Sequence, residues 1–342
     1  MVILSDCFRD VVDEGCLKVA NCLAKKIKEK HPDTLIVTYK YNSCLTDCSL
    51  RLNPLFLNPK LWSLLRNRND EILYIPFASN TFMSSVRVFI LSLINPCDVK
   101  VLFALRHPMN SLSKFFLWLS RAQIYTLSKE SKDFYSQFSP KKVVQLKSGC
   151  DTVKFIPVDM ERKLRLREKY NIKANEIVVL HAGHINRGRN VEQLLKLDQR
   201  FHVIMLLSTT TYSESALELL DEFNKRPNTT VIKHYVPNVE EIYQLSDVYF
   251  FPVVESENCI DLPLSVLEAA SCNKPIVCTR YGALNELNEC KGLFFIDDFD
   301  SERLNDLMDR AAQCDECDVR ELALGFDWSE ALKKIEDERG VC

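Results

Sequence analysis

A helix that opens at Pro263 carries residues whose types and spacing suit the binding of a charged ligand. Proline fits a first helical turn, because the N–H group that it lacks would be unpaired there in any case. The N–H groups of Leu264 and Ser265, together with the helix dipole, predict an anion site that suits a diphosphate. Glu268 lies one turn further along, where a carboxylate can accept two hydroxyl groups of a ribose. The alternative is a buried helix whose early glutamate only complements the dipole.

A second segment, residues 178–195, joins an apolar run to a basic loop. The run predicts a buried strand that ends at Gly183, and Arg187 and Arg189 flank Gly188 at the mouth of that strand. A guanidinium at this place can bind phosphate oxygens through two parallel hydrogen bonds. The loop therefore predicts a second phosphate contact, and the alternative is a basic loop that only faces solvent.

Both segments belong to a pattern in which short apolar runs alternate with amphipathic stretches along the whole chain. This pattern predicts the α/β class, with mostly parallel sheets covered by helices on both faces. An irregular stretch near residues 147–160 separates two doubly wound, Rossmann-like halves, and we expect a ligand in the cleft between them. The predicted strands are residues 2–5, 35–39, 72–75, 101–105, 124–127, 143–146, 177–180, 203–207, 231–232, 248–251, 276–278 and 293–295, and a further helix is predicted to start near Asn190.

The composition excludes several classes of function. A net charge of −3, from 44 basic and 47 acidic residues that are closely intermixed, predicts no nucleic-acid surface. No apolar stretch suits a membrane span or a signal peptide, so we expect a cytoplasmic protein. The 14 cysteines include one CxxC pair, Cys314 and Cys317. Without a second cluster, this pair indicates thiols on a surface helix rather than a metal or redox site.

Five stretches of the sequence resemble segments of a known family. They read DEGCLKVANCLAKKI, LSKESKDFYSQFSPKKVVQLKSGCDTVKFIPVD, AGHINRGRNVEQLL, LPLSVLEAASCNKPIVCTRYGALNEL and FDWSEALKKIED. They resemble, in this order, the first loop and helix, the domain-crossing segment, the phosphate loop, the glutamate-bearing helix and the last helix of the family 4 retaining glycosyltransferases (glycosyl transferases group 1). The resemblance implies the GT-B fold, with an acceptor domain at 1–150, a nucleotide-sugar donor domain at 151–325 and a helix at 326–342 that crosses back to the first domain.

The resemblance also implies roles for single residues. Glu268 matches the second acid of the family's Glu-x7-Glu motif, which holds the nucleotide ribose. Leu264 and Ser265 match positions whose backbone amides meet the donor phosphates. Gly15 matches a glycine that lets the backbone approach the phosphates, and His107 matches a histidine near the sugar being transferred.

In the phosphate loop, which opens at Gly183, one position departs from the family pattern. Arg187 stands where the family has a phosphate-binding lysine, but His184 stands where the family has an arginine. Imidazole is only partly charged at neutral pH and binds phosphate less reliably than a guanidinium. Arg187 and Arg189 could compensate for this departure.

A second departure concerns the first acid of the Glu-x7-Glu motif, where this chain has Ile260. In the family that acid lies against the donor sugar. Glu257 or Asp261 could take its place if the loop has a different shape. With His107 and Arg187, Glu257 completes the set of residues that we expect to be catalytic.

These roles imply a retaining glycosyltransferase of the hexosyltransferase class that uses a UDP- or GDP-sugar. The acceptor would be a hydroxyl group of a glycan, a glycolipid or a small molecule. Arg187, His184 and the helix start at Leu264 would stabilise the charge that grows on the departing diphosphate. No Asp-x-Asp motif appears at a strand end and protein cations can do the work of a metal, so neither a metal nor another cofactor is expected. The alternatives are a binding or scaffold protein of the same fold, which Ile260 favours, and a nucleotide-sugar epimerase.

Apolar residues of the predicted helices at 61–68 and 115–119 have four basic residues nearby, which are Lys60, Arg66, Arg68 and Lys114. These two segments could touch a membrane surface that bears a lipid-linked acceptor, which would place the protein at the cytoplasmic membrane face. The alternative is ordinary core packing of the same residues.

Overall fold

The predicted alternation of strands and helices is present in a computed structural model, which describes residues 1–68, 70–95, 99–208, 213–255 and 259–337. The chain forms two units. The first contains residues 1–148, 260–262 and 328–342, and the second contains residues 149–259 and 263–327. Each unit has one parallel sheet and its own apolar core, which confirms the α/β class and the two doubly wound halves.

The first unit is built on a parallel sheet of seven strands within the described residues. Its strands are β1 (Val2–Ser5), β2 (Leu35–Thr38), β3 (Cys48–Ser49), β4 (Ile72–Ile75), β5 (Val99–Phe103), β6 (Gln123–Thr126) and β7 (Val144–Gln145). They lie in the order β3-β2-β1-β4-β5-β6-β7. The helices that connect them are α1 (Gly15–Lys30), α2 (Pro59–Arg68), α3 (Phe82–Ile94), α4 (Ser111–Ser120) and α5 (Lys129–Ser136).

The second unit repeats this plan with six strands among the residues that the structure describes. It contains α6 (Met160–Lys169), β8 (Ile177–Gly183), β9 (Phe201–Leu207), α7 (Glu214–Lys225), β10 (Thr229–Ile232), α8 (Glu240–Leu245), β11 (Val248–Phe251), α9 (Leu264–Ser271), β12 (Ile276–Cys278), β13 (Leu293–Phe295), α10 (Ser301–Ala312) and α11 (Arg320–Leu324). The strand order is β10-β9-β8-β11-β12-β13. Short 3-10 helices cover Arg187–Arg189, Val191–Lys196 and Gly282–Glu286.

A last helix, α12 (Trp328–Asp337), belongs to the first unit although it follows the second unit in sequence. It packs against α1 and buries Trp328, Leu332 and Ile335. The buried Lys100 of β5 donates from Nζ to the carbonyl oxygen of Ile335 at 3.0 Å and to Glu71 Oε1 at 3.1 Å. The helix therefore completes both the apolar cover and the polar pairing of the first unit.

Some elements differ from the sequence predictions. β5 ends two residues early, because the backbone N–H of Leu105 leaves the ladder and donates to Ser79 Oγ at 3.1 Å. The segment from Arg187 forms two 3-10 helices instead of one α-helix, since Asn190 between them has a left-handed backbone with a φ angle of +56°. The CxxC pair lies in the connection between α10 and α11 rather than on a surface helix.

In both sheets the strand order reverses next to the first strand of the unit. The reversal lies between β1 and β4 in the first sheet and between β8 and β11 in the second. Ligands of such sheets bind outside the carboxyl ends of the strands at this reversal, because the two connections diverge there and leave a crevice. The loops after these four strands are therefore the places to examine for a site.

Candidate functional site

The carboxyl end of β8 places an arginine against a glycine. Gly183 has a φ angle of +151°, in the range that favours glycine. A Cβ atom built on Gly183 would overlap the guanidinium of Arg189 and would lie 3.3 Å from its Cζ atom. Arg189 is buried, with 7% of its surface exposed. The missing side chain at Gly183 therefore leaves the space that a cation occupies at the end of the strand.

Two asparagines shape the loop that carries this arginine. Asn186 Oδ1 accepts a hydrogen bond of 2.9 Å from the backbone N–H of Arg189 and closes the first 3-10 turn. Asn190 takes the left-handed conformation, which asparagine tolerates better than most residues. Its Nδ2 donates to the carbonyl oxygen of Pro252, just after β11, at 3.3 Å. The loop is thereby fixed across the β8–β11 reversal.

A buried histidine precedes the glycine on the same strand. Nδ1 of His181 lies 3.0 Å from the carbonyl oxygen of Phe250 on β11, so this nitrogen carries the proton. Complete burial lowers the pKa of His181 to about 4, and the nearby charge of Arg189 acts in the same direction. His181 is therefore neutral at physiological pH, and Arg189 supplies a positive charge at this strand end.

The two other predicted phosphate contacts of this loop have different outcomes. His184 is half-buried, and its Nδ1 lies 2.8 Å from Oγ of Ser208, which follows β9. This contact orients the imidazole at the start of the loop. The backbone of Arg187 lies in the first 3-10 turn, but its side chain is outside the described part of the structure.

Helix α9 begins at Leu264, and Pro263 is its N-cap residue rather than its first helical residue. Glu268 is buried in this helix, and its Oε2 accepts a hydrogen bond of 2.7 Å from the hydroxyl of Tyr243 in α8. Burial and the charge of Glu268 raise the pKa of Tyr243 well above its ordinary value, so the phenol keeps its proton and donates it. The predicted ribose-binding carboxylate is thus held in place by a buried tyrosine.

A second tyrosine connects the two segments that the sequence analysis singled out. Tyr249 on β11 donates its hydroxyl to the carbonyl oxygen of Ala182 in β8 at 3.3 Å, and it is also hydrogen-bonded to the side chain of Ser265. Burial raises the pKa of Tyr249, which keeps the hydroxyl protonated. The end of β8 and the start of α9 therefore lie within reach of one hydroxyl group.

In the first unit, His107 lies in the loop after β5, and its backbone is held on both sides by one amide. Oδ1 of the buried Asn80 accepts from the backbone N–H of His107, and Nδ2 of the same residue donates to the His107 carbonyl oxygen, both at 2.7 Å. The half-buried imidazole is thereby presented from a rigid backbone at a strand end.

Gly15 is the first residue of α1, and a side chain of the segment 260–262 packs against it. A Cβ atom on Gly15 would lie 2.9 Å from Cδ1 of Ile260, the residue that replaces the first acid of the motif. Ile260 is itself buried. An aliphatic group therefore closes on the backbone at this helix start, and the predicted contact of Gly15 with phosphate stays a prediction.

Asp261, one of the two acids proposed to replace the missing one, is bound within the first unit. Its backbone N–H donates to the Ala104 carbonyl oxygen at 3.0 Å, and its Oδ2 accepts from Ser128 Oγ at 2.9 Å. Burial raises the pKa of Asp261 to about 6. The carboxyl group serves as an anchor for the segment 260–262. The other candidate, Glu257, lies outside the described residues.

Sequence reasoning did not find the residues that position the site. Tyr243, Tyr249, Asn80 and Ser128 each supply one polar group to a partner at least 25 residues away. A tyrosine in an apolar strand or helix is typical of ordinary core packing, so its type and spacing carry no hint of the hydroxyl's partner.

Comparison with known proteins shows a likeness to one family. Residues 162–321, which include β8, the loop of Arg189 and α9, match the family model described as glycosyl transferases group 1. The match spans just under half of the 342 residues, and over this stretch the chain is similar to the group 1 glycosyl transferases. Over 144 residues, this chain is 24% identical to the alpha-galactosylglucosyldiacylglycerol synthase of Streptococcus pneumoniae. That match covers 40% of this chain and 37% of the synthase, well under two thirds of its length.

Solved structures of other proteins have the same fold. HepE of Anabaena, solved in complex with UDP-glucose, has a TM-score of 0.74 at 15% identity, and 98% of each chain is covered. A glycosyltransferase from Rickettsia africae has a TM-score of 0.76 at 16% identity, with 98% of this chain and 97% of that chain covered. At these identities the likeness establishes the fold, which is the GT-B fold that the sequence resemblance implied.

The described residues contain neither a membrane-spanning helix nor a cluster of metal-binding side chains. None of their helices is both long and apolar enough to cross a membrane. The same residues contain no group of three or more histidine, cysteine, aspartate or glutamate side chains that could hold a metal ion.

Proposed function

We propose that this protein is a glycosyltransferase that moves a hexosyl group from a nucleotide diphosphate sugar to a hydroxyl group, and that the second unit binds the donor. The observation that carries this proposal is the arrangement at the β8–β11 reversal, where Arg189 fills the space at Gly183 and Tyr249 connects this strand end to the start of α9. The complex of HepE with UDP-glucose supports a UDP-sugar as the donor.

In this proposal Arg189 binds the donor phosphates, a role that the resemblance gave to Arg187. As the bond between sugar and phosphate breaks, negative charge grows on the diphosphate, and a cation fixed beforehand stabilises that charge without reorganising. Burial of Arg189 strengthens its attraction for an anion, because less water screens the charge. The first N–H groups of α9, at Leu264 and Ser265, provide a second contact. With these protein groups in place, we propose a transfer that needs no divalent metal.

Glu268 binds the ribose in this proposal. Because Tyr243 donates to Oε2, the carboxylate is held in one orientation before the nucleotide arrives. A carboxylate that is already oriented loses little side-chain freedom when it accepts the ribose hydroxyls, and this reduces the cost of binding. His107 stays the predicted contact to the transferred sugar, and Glu257 stays the predicted replacement for the missing acid.

We also propose that the acceptor is presented at a membrane surface, which α4 contacts. Its residues Leu112, Phe115, Trp118 and Leu119 are about half exposed and recur at helical spacing. Between residues 106 and 129 the sequence has four basic residues and no acidic one. An aromatic and aliphatic helix face in basic surroundings suits the interface of an anionic bilayer. A glycolipid acceptor agrees with the name of the Streptococcus pneumoniae relative.

The other helix that was predicted to touch a membrane has a different environment. Leu61 and Leu65 of α2 are buried, and Trp62 and Leu64 pack against the core of the first unit. For α2 the structure therefore shows the core packing that was the alternative, and the membrane proposal rests on α4 alone.

Donor binding is tested by titrating the full chain with UDP in a calorimeter and comparing Glu268→Ala with the unchanged protein. The lost charged hydrogen bonds should weaken binding by about 1–3 kcal/mol. Tyr243→Phe is the matched control, because it removes the positioning hydroxyl and keeps the carboxylate, so its loss should be smaller. Unchanged affinity in Glu268→Ala would contradict the assigned role.

The reaction itself is tested by incubating the protein with UDP- and GDP-sugars. We expect slow release of free nucleotide without an acceptor, and a glycoside of retained anomeric configuration by NMR once an acceptor is supplied. An epimerised sugar would instead indicate the epimerase, and failure to bind any donor would leave only the scaffold function.

A further inference from the structure

We infer that the first unit binds a phosphate group of the acceptor at Arg9, Tyr41 and Phe77, outside the carboxyl ends of three neighbouring strands. This inference rests on the proposed transferase function and names the chemical class of its second substrate. The three residues come from the loops after β1, β2 and β4, which lie side by side in the sheet. They therefore meet at the strand-order reversal of the first unit, where a sheet of this kind binds its ligand.

The guanidinium of Arg9 lies against two aromatic rings. Its Cζ atom is 4.1 Å from the ring centroid of Tyr41 and 5.7 Å from that of Phe77. A guanidinium over the face of an aromatic ring is attracted by the ring's quadrupole and is restrained in its orientation. Tyr41 is exposed, so solutes can reach this arrangement. The two rings thus hold a planar cation in place at the surface of the first unit.

The two acids nearest to Arg9 in the sequence accept hydrogen bonds from backbone N–H groups. Asp6 Oδ1 accepts from the backbone N–H of Phe77 at 2.9 Å, and Asp10 Oδ1 accepts from that of Cys44, also at 2.9 Å. Within the described chain, the buried Nε of Arg9 has no hydrogen-bond partner. A second cation, Lys40, has its Nζ 5.3 Å from the same Tyr41 ring centroid. Two cations therefore converge on one exposed ring while these two carboxylates are used in shaping the loops.

A phosphate group fits this arrangement better than an uncharged hydroxyl group. A restrained guanidinium offers two parallel N–H donors to phosphate oxygens, and an ammonium beside it adds a point charge. The phosphate could belong to a soluble sugar phosphate or to a lipid headgroup, since both present the same oxygens. The inferred acceptor is therefore a hydroxyl compound that carries phosphate.

The test uses glucose 6-phosphate as the probe, with glucose as its uncharged counterpart, in the presence of saturating UDP. UDP fills the proposed donor site, so that the probe does not report on phosphate contacts there. Ligand-observed NMR should show binding of glucose 6-phosphate to the unchanged protein and a dissociation constant at least tenfold higher for Arg9→Ala. Arg9→Lys keeps the positive charge but loses the two parallel N–H donors of the guanidinium. Its affinity for glucose 6-phosphate should lie between those of the unchanged protein and Arg9→Ala.

Lys26→Ala is the matched control, because this exposed lysine of α1 pairs with Glu29 at 3.4 Å and lies outside the site. It should bind the probe as the unchanged protein does. A thermal midpoint within one or two degrees for all variants shows that they fold. Equal affinity of Arg9→Ala and the unchanged protein, or equal binding of glucose and glucose 6-phosphate, would exclude a soluble sugar phosphate as the ligand.

A second measurement distinguishes the source of the phosphate. In a chain whose α4 contact is removed by Phe115→Ser and Trp118→Ser, Arg9→Ala should lower the affinity for vesicles of phosphatidylcholine with phosphatidic acid if a lipid headgroup is the ligand. It should leave that affinity unchanged if the ligand is a soluble phosphate. If Arg9→Ala changes neither the affinity for glucose 6-phosphate nor the affinity for the vesicles, the inference is overturned. The UDP affinity of Arg9→Ala should equal that of the unchanged protein. If the unchanged protein binds no UDP, the proposed function fails, while the glucose 6-phosphate titration without UDP still decides about Arg9.

Discussion

A single hydrogen atom at Gly183 is what allows Arg189 to lie at the end of β8. Any larger side chain there would have to displace the buried guanidinium, and the φ angle of +151° would add backbone strain for a residue with a Cβ atom. The position is therefore sensitive in two ways, one steric and one conformational. Both act on the cation that we propose as the main phosphate contact.

Gly183→Ala should weaken UDP binding at least tenfold, because the guanidinium is pushed out of its place. Calorimetric titration of the folded variant gives the dissociation constant. Gly325→Ala is the matched control: its φ angle is negative, and the added Cβ would meet only the Leu322 carbonyl oxygen at 3.3 Å and the Glu321 carbonyl oxygen at 3.9 Å. If both alanine variants bind UDP equally well, Gly183 does not have this part.

Asp261 should make the stability of the first unit depend on pH. Its pKa in the folded protein, about 6, is above its ordinary value, so the folded state binds more protons than the unfolded state between about pH 4 and pH 6. Its contribution to stability is present at low pH and is lost as the pH rises through 6. Asp261→Asn keeps an oxygen acceptor for Ser128 and should raise the thermal midpoint more at pH 7.5 than at pH 4.5.

The measurement is a calorimetric melt of both proteins across this pH range. Asp221→Asn serves as the control, since Asp221 is exposed and pairs with Lys225 on the surface of α7. It should show no such trend. A midpoint difference for Asp261→Asn that does not change with pH would refute the assignment of a raised pKa.

Site residues could be predicted where local sequence fixes their position, and could not be predicted where they depend on a partner far away in the sequence. Arg189, Gly183 and Glu268 stand near helix starts and strand ends, where local sequence fixes the position, and the structure brings them into one unit. The sequence left Asp261 open as a replacement for the first acid, because its hydrogen bond with Ser128 joins residues that are 133 positions apart. Such long-range pairings leave no local pattern.

At the scale of single elements, α4 is firmly anchored and yet exposes aromatic side chains. Its N-cap Asn110 accepts a hydrogen bond from the backbone N–H of Ser113 at 2.8 Å, and the helix packs against α3, so it is firmly held. Its outer face nevertheless shows Phe115 and Trp118, whose rings stack with centroids 6.1 Å apart. A rigid helix with an exposed aromatic pair is suited to entering a lipid interface without refolding.

We expect the unchanged protein to sediment with phosphatidylglycerol vesicles and much less with phosphatidylcholine vesicles. The double variant Phe115→Ser and Trp118→Ser should lower vesicle affinity at least tenfold, since each buried aromatic side chain contributes about 1.5–3 kcal/mol. Leu217→Ser is the control, because Leu217 is similarly exposed but lies on α7 of the second unit. Equal sedimentation of the double variant and the control would exclude α4 as the membrane contact.

The bounds of the strands were predicted well where an apolar run is continuous. They were predicted poorly where a hydrogen bond to a side chain ends the pairing between strands. β1, β4, β11 and β12 have the bounds that their apolar runs indicate. β3 has only two residues and was not predicted, because so short a strand is defined by its pairing with β2 rather than by composition. The 3-10 helices after Gly183 follow from the left-handed Asn190, which a helical pattern does not reveal.

At the scale of the whole molecule, the first unit depends on residues from three separate parts of the chain. Ile335 of α12 is completely buried, and its carbonyl oxygen accepts the bond from Lys100. Ile335→Ala should therefore lower the free energy of unfolding of the first unit by about 2–5 kcal/mol. The exposed Lys333→Ala should leave it unchanged. Chemical denaturation followed by hydrogen exchange of β1 and β4 reports on the first unit, and equal protection in both variants would contradict this dependence.

The late position of α12 has a consequence for how the protein is made. During synthesis, the strands of the first unit leave the ribosome long before α12, because residues 146–327 must be translated between β7 and α12. At about 5–20 residues per second, the face of α1 that α12 covers is open to solvent for several seconds or more. We expect the nascent chain to need protection of this apolar face, and the second unit to acquire its native structure first.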